Sequence, residues 1–83
     1  MTYEKSSERA LDVLNRKLSD KNLHVRVSRL YNYDTNQYRY DTWIEYYNTK
    51  RKKWSIYHVL GTFSTESAAM KAAQEKLRMD NIL

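Results

Sequence analysis

The chain has no cysteine, no proline and a single glycine, Gly61. Without thiols it carries neither a disulfide framework nor a thiolate zinc site. One glycine cannot build a Gly-rich, phosphate-cradling loop. No apolar run approaches the ~18 residues of a membrane span, and the N-terminus has no apolar signal region. The expected location is therefore the cytoplasm, with no membrane partner. Histidine is scarce as well. His24 and His58 fall on different predicted strands and on opposite faces, with no HxxxH or DxD spacing. Asp41 and Glu45 share a strand face, but among Arg and Lys they read as ion pairs, not as an acid–base couple. The eight tyrosines offer stacking and hydrogen bonds, not an obvious nucleophile. The expectation is a protein that is not an enzyme and takes no metal or cofactor.

What is present is a basic, aromatic chain. Over 83 residues, 15 Lys+Arg face 10 Asp+Glu for a formal charge of +5, and aromatics make up 13%. That aromatic content is too rich for a disordered tail. No repeat or composition shift divides the chain, so one domain is expected over 1–83.

The period of the apolar residues changes along it. Leu11, Leu14 and Leu18 recur at helical spacing, and the spacing predicts a helix over 3–21, capped by Ser6 or Ser7 with Glu8 in its first turn. From Leu23 the period is two. Strands are expected over 23–33, 38–47 and 54–60, in segments rich in Tyr, Trp, Val, Ile and Thr. Asp34 to Gln37 and Asn48 to Lys53 are the turns. Gly61 ends the third strand, Ser64 is a good N-cap, and a helix follows over 65–79 with Ala68, Ala69, Ala72, Ala73 and Leu77 on one face. The order α-β-β-β-α with short links predicts an α+β two-layer sandwich. It has a three-stranded antiparallel sheet with two helices on one face, and the other face is open.

Alternation assigns the faces. With Ile44 and Ile56 in the core, and with Trp54, His58 and Leu60 beside them, the open face shows His24, Arg26, Arg39, Trp43, Tyr47, Lys53 and Tyr57. Cations interleaved with rings suit nucleic acid, since bases stack on rings and phosphates pair with Arg and Lys. The same rings are also ordinary cross-strand pairs that support a thin sheet. The run Lys50-Arg51-Lys52-Lys53 is the densest charge on the chain. It reads as a phosphate contact, or as a solvated turn that keeps the sheet edge soluble. The candidate binding residues are thus Lys50, Arg51, Lys52, Lys53, Arg26, Arg39, Trp43, Tyr47 and Tyr57.

Two resemblances bear on this. The element order, with Leu11, Leu14 and Leu18 in the first helix and Ser64-x-x-x-Ala68-x-x-x-Ala72-Ala73-x-x-x-Leu77 in the last, resembles the double-stranded RNA-binding domain over roughly residues 8 to 80. That family reads A-form RNA by shape, through its first helix, the loop between strands 1 and 2, and the start of its last helix. Leu60-Gly61-Thr62-Phe63-Ser64-Thr65-Glu66-x-Ala68-Ala69 is similar to the strand-to-helix junction of the ethylene-response-factor domain and of integrase arm-binding domains. Those domains lay a three-stranded sheet into the major groove of DNA, which implies that Arg26, Arg39, Trp43, Lys53 and Tyr57 face the groove. The expected function is a small nucleic-acid-binding domain, for DNA or RNA. The alternative is a small protein-binding module or inhibitor, of a kind phages encode, that acts on a nucleic-acid enzyme or a host defence complex. The abundance of Tyr and the Thr65-Glu66 start of the last helix, where lysines would be expected, support that alternative.

Overall fold

Two helical segments and three alternating ones assemble into the α-β-β-β-α order. The computed structural model describes residues 9–83. The elements are α1 (Ala10–Leu18), a 3-10 turn (Ser19–Lys21), β1 (Leu23–Asn32), β2 (Gln37–Asn48), β3 (Lys53–Phe63) and α2 (Glu66–Met79). The strands form one antiparallel meander in the order β1-β2-β3. Among the described residues no helix is long and apolar enough to cross a membrane.

The first helix is shorter than its apolar spacing predicts. Arg9 has extended backbone dihedrals and acts as the N-cap, its carbonyl accepting from the N–H groups of Asp12 and Val13. The helix expected over 3–21 is therefore interrupted at Arg9, and its part before Arg9 lies outside the described residues. The expected caps Ser6 and Ser7, and Glu8, lie outside the described residues. Asp12 is the acid in the observed first turn, and Arg16 and Lys17 crowd the last, which suits the helix dipole. Asn22, at φ 58°, turns the chain into β1.

One side of the sheet is dry. Leu11, Leu14 and Leu18 from α1 meet Leu23, Val25 and Ile44 from the sheet and Met70, Ala73 and Leu77 from α2. Ala69 and Ala73 are fully buried, so α2 lies close to the sheet. Val27, Leu60 and Ile82 pack around this cluster. Thr65, not Ser64, caps α2: its hydroxyl accepts from the Ala68 N–H at 3.1 Å. Arg9 and Glu66, at 2.6 Å, tie the start of α1 to the start of α2. Asn15 reaches from α1 to β1, where its side-chain carbonyl accepts from the Val25 N–H at 2.7 Å and its amide donates to the Val25 carbonyl at 3.1 Å.

The two hairpins are built alike. Asn32 and Asn48 each open a four-residue loop by accepting two backbone N–H groups on the side-chain oxygen. The loops close on Asn36 and Lys52, at φ 57° and 56°. An Asn at the first position of such a turn is favoured because its short side chain replaces missing backbone partners.

The faces of β3 differ from those the alternation predicts. Its register against β2 shifts twice, between Thr42/Trp43 and between Ile44/Glu45. Each shift inserts one extra residue in β3, Leu60 and then Tyr57. A bulge sets two successive residues on one side and inverts the alternation beyond it. Ile56 is consequently on the open face and 54% exposed, not in the core. Trp54 moves to the open face beside Tyr47. Tyr57 turns to the helix side, and Lys53 is opposite Asn48 at the strand's end. His58, opposite Ile44, is on the helix side as expected but exposed at the sheet margin, not a core residue. Gly61, at φ 118°, allows the bulge at Leu60 a backbone conformation that side chains disfavour.

Candidate nucleic-acid interface

The open face is banded along the strands. At the end nearest the β2–β3 hairpin, Trp54 meets His24 edge-on at 5.7 Å and Tyr47 at 5.4 Å, with interplanar angles of 75° and 71°. Such tilted pairs place a ring's positive edge on its neighbour's negative face and hold the rings in place. The residue before Trp54 is the last of the four hairpin cations. Lys50, Arg51 and Lys52 are exposed in the turn and Lys53 begins β3. Among the described residues none of the four has a carboxylate within ion-pair distance. The basic tip and the ring trio are therefore adjacent.

The middle of the face is polar but internally paired. Glu45 receives Arg26 Nε at 3.2 Å on one carboxylate oxygen and Trp43 Nε1 at 3.0 Å on the other. Burial lowers the His24 pKa from its ordinary 6.5, the Arg26 charge lowers it further, and Glu45 opposes both. Beyond this, Ile56 and Val59 flank Trp43 on β3 and are 54% and 65% exposed. At the far end Arg39 is 3.9 Å from Asp41, which also accepts the Thr62 hydroxyl at 2.7 Å.

The nine residues expected at the interface therefore divide. Lys50, Arg51, Lys52 and Lys53 share the tip, with Tyr47 directly beneath. Arg26, Trp43 and Arg39 are on the open face as expected, but both arginines face carboxylates. Tyr57 is not on this face. Its hydroxyl donates to Asp80 at 2.5 Å, just past the end of α2, where Lys76 also pairs with Asp80 at 3.3 Å. The Tyr57 contact, then Lys76 and the His58 charge, hold the Asp80 carboxyl below its ordinary range, and the same bond raises the Tyr57 hydroxyl.

Trp54 is the residue that alternation misses. The signal was available: it directly follows four cations and lies across a short turn from Tyr47. A second aromatic group at the opposite end of the molecule also escaped notice. Tyr31 packs edge-on against Tyr33 and Tyr38, at 4.8 and 4.9 Å, and Arg29 lies 4.5 Å over the Tyr38 ring. Comparison of the chain with protein-family models, with curated proteins and with solved structures returns no match.

Proposed function

We propose that the protein is a small non-enzymatic nucleic-acid-binding domain whose contact site is the β2–β3 hairpin tip and the rings beneath it. One observation carries this reading: four cations without acid partners among the described residues adjoin an exposed tryptophan braced by two other rings. Polyanion backbones are held by such cations and bases by such rings. The element order is that of the double-stranded RNA-binding domain, but the site proposed here is elsewhere. Glu66, at the start of α2, is engaged by Arg9, and the β1–β2 loop carries Asp34.

The test is a salt series on the chain and on a variant with Lys50, Arg51, Lys52 and Lys53 replaced by Ala. Each phosphate contact contributes about −0.7 to −0.9 to the slope of log affinity against log salt. The variant should bind more weakly, with a slope shallower by up to about 2.8 on single strands or about 3.6 on duplex DNA, while its thermal midpoint barely moves. Unchanged affinity removes the hairpin from the interface.

A second reading is supported by Ile56 and Val59. They are exposed beside Trp43, and the charges around them are already neutralised. Tyr, Trp and aliphatic side chains in such a setting suit a protein surface, here that of a nucleic-acid enzyme or defence complex. A partner captured from lysate that survives nuclease, is lost with Val59→Glu and is kept by the hairpin variant would favour it.

A further inference from the structure

We infer that the hairpin site takes unpaired nucleotides, and that Trp54 is the platform on which a base stacks. This rests on the nucleic-acid reading above and specifies its ligand. Inside a duplex both flat faces of each base are covered by neighbouring pairs, so an indole has nothing to stack on. An unpaired base offers its face, and stacking is tolerant of base identity.

Trp54 is placed for that role. It is 44% exposed on the open face, and its edge-on contacts with His24 and Tyr47 fix its orientation before any ligand arrives. A side chain already ordered loses little freedom on binding. Lys53 precedes it in β3 with its side chain on the opposite face of the pleat, so the cations set to meet phosphates beside this ring are those of the adjoining turn, Lys50, Arg51 and Lys52.

The charge pattern argues against a duplex on the same face. A duplex needs cations spread across a broad surface. Here, among the described residues, four cations without acid partners are gathered in one run at the hairpin, whereas Arg26 and Arg39 on the face itself stand against carboxylates. A duplex laid along the sheet would bring phosphates onto Glu45 and Asp41, which already hold Arg26 and Arg39. A single strand is narrow and bends, so it can follow the tip, place a base on Trp54 and avoid both carboxylates.

The experiment compares labelled dT and rU oligomers of about 15 nucleotides with a duplex of the same length, by fluorescence anisotropy at about 50 mM salt. The proteins are the wild type, Trp54→Ala and Trp54→Phe. At least one unpaired oligomer should bind about ten-fold or more tighter than the duplex, and the tighter of the two names the sugar. Trp54→Ala should weaken that binding by about 5- to 150-fold, equivalent to about 1–3 kcal/mol, without changing duplex binding. Trp54→Phe should keep most of it. A duplex bound as tightly as the single strands, or a folded Trp54→Ala protein that binds them unchanged, overturns the inference but leaves the hairpin reading standing. Binding to none of the three defeats that reading itself. Should Trp54→Ala not fold, tryptophan emission decides in a Trp43→Phe background, where Trp54 is the remaining indole. Quenching by the unpaired oligomer supports stacking, and unchanged emission on binding refutes it.

Discussion

Replacing Asn15 with Ala removes two hydrogen bonds at once, both to the backbone of Val25. Val25 is 0% exposed, so water has poor access to the groups released. A net hydrogen bond is worth about 1 kcal/mol, and a buried group left without a partner costs about 1–3 kcal/mol. Alanine is the better helix former, which returns about 0.5 kcal/mol in the middle of α1. The expected loss is about 2 kcal/mol, or a fall of roughly 8–16 °C in the midpoint for a domain of this size. Urea and thermal unfolding followed by far-ultraviolet circular dichroism measure it directly. Asn15→Asp makes a sharper probe, because it keeps an acceptor for the Val25 N–H but sets a second oxygen against the Val25 carbonyl. The protonated carboxyl can donate where the charged one repels, so its folded-state pKa should be raised. The stability linked to that proton is then present at low pH and lost as pH rises through the folded-state pKa. A loss below about 0.5 kcal/mol for Asn15→Ala would show that this bridge does not fasten α1 to β1.

The two isoleucines expected in the core should behave differently. Ile44→Ala, at a fully buried site, should cost about 2–5 kcal/mol, whereas Ile56→Ala on the open face should cost under about 1 kcal/mol; similar urea midpoints for the two variants would contradict the bulged register of β3. His24 binds its proton less readily in the folded protein than its ordinary 6.5 implies, owing to burial and then to Arg26. The unfolded chain therefore takes up the proton first as pH falls, and stability should decline from about pH 7 downward through the unfolded-state value toward the folded one. A series of urea midpoints across that range should flatten in His24→Gln, and an equal slope in both proteins would assign the effect elsewhere.

The element order was readable because each transition has a local cause. The apolar period drops from helical to two at Leu23 and Asn-led loops separate the strands, whereas Gly61, expected to end the third strand, lies within β3, which continues to Phe63. The basic tip was readable for the same reason, since four consecutive cations occupy a loop whatever surrounds them. The face of β3 was not. A bulge depends on how two strands settle against each other, and only Gly61 hints at one of the two. Tyr57 and Trp54 consequently exchanged sides, and the interface lost one ring and gained another. That Asp41 and Glu45 pair with basic residues was legible, and Arg39 stands two residues from Asp41 on the same strand; that Glu45 takes Arg26 was not, because that pair forms only through cross-strand geometry. Asn15 falls within the first helix, and nothing nearby in sequence reveals that its side chain serves β1.

The two margins of the sheet differ from its face in what they allow. Along β3 the hydrogen-bonding rhythm is broken twice within a few residues, so a straight incoming strand could not stay in step with it. Along β1 the side chain of Asn15 already stands in for a neighbouring strand at Val25. Fibril-like growth needs an uninterrupted rim, and neither rim supplies one along its full length. A chain this rich in strand-forming aromatics is thereby discouraged from templating itself, and contact with other molecules is left to its flat side and its charged tip.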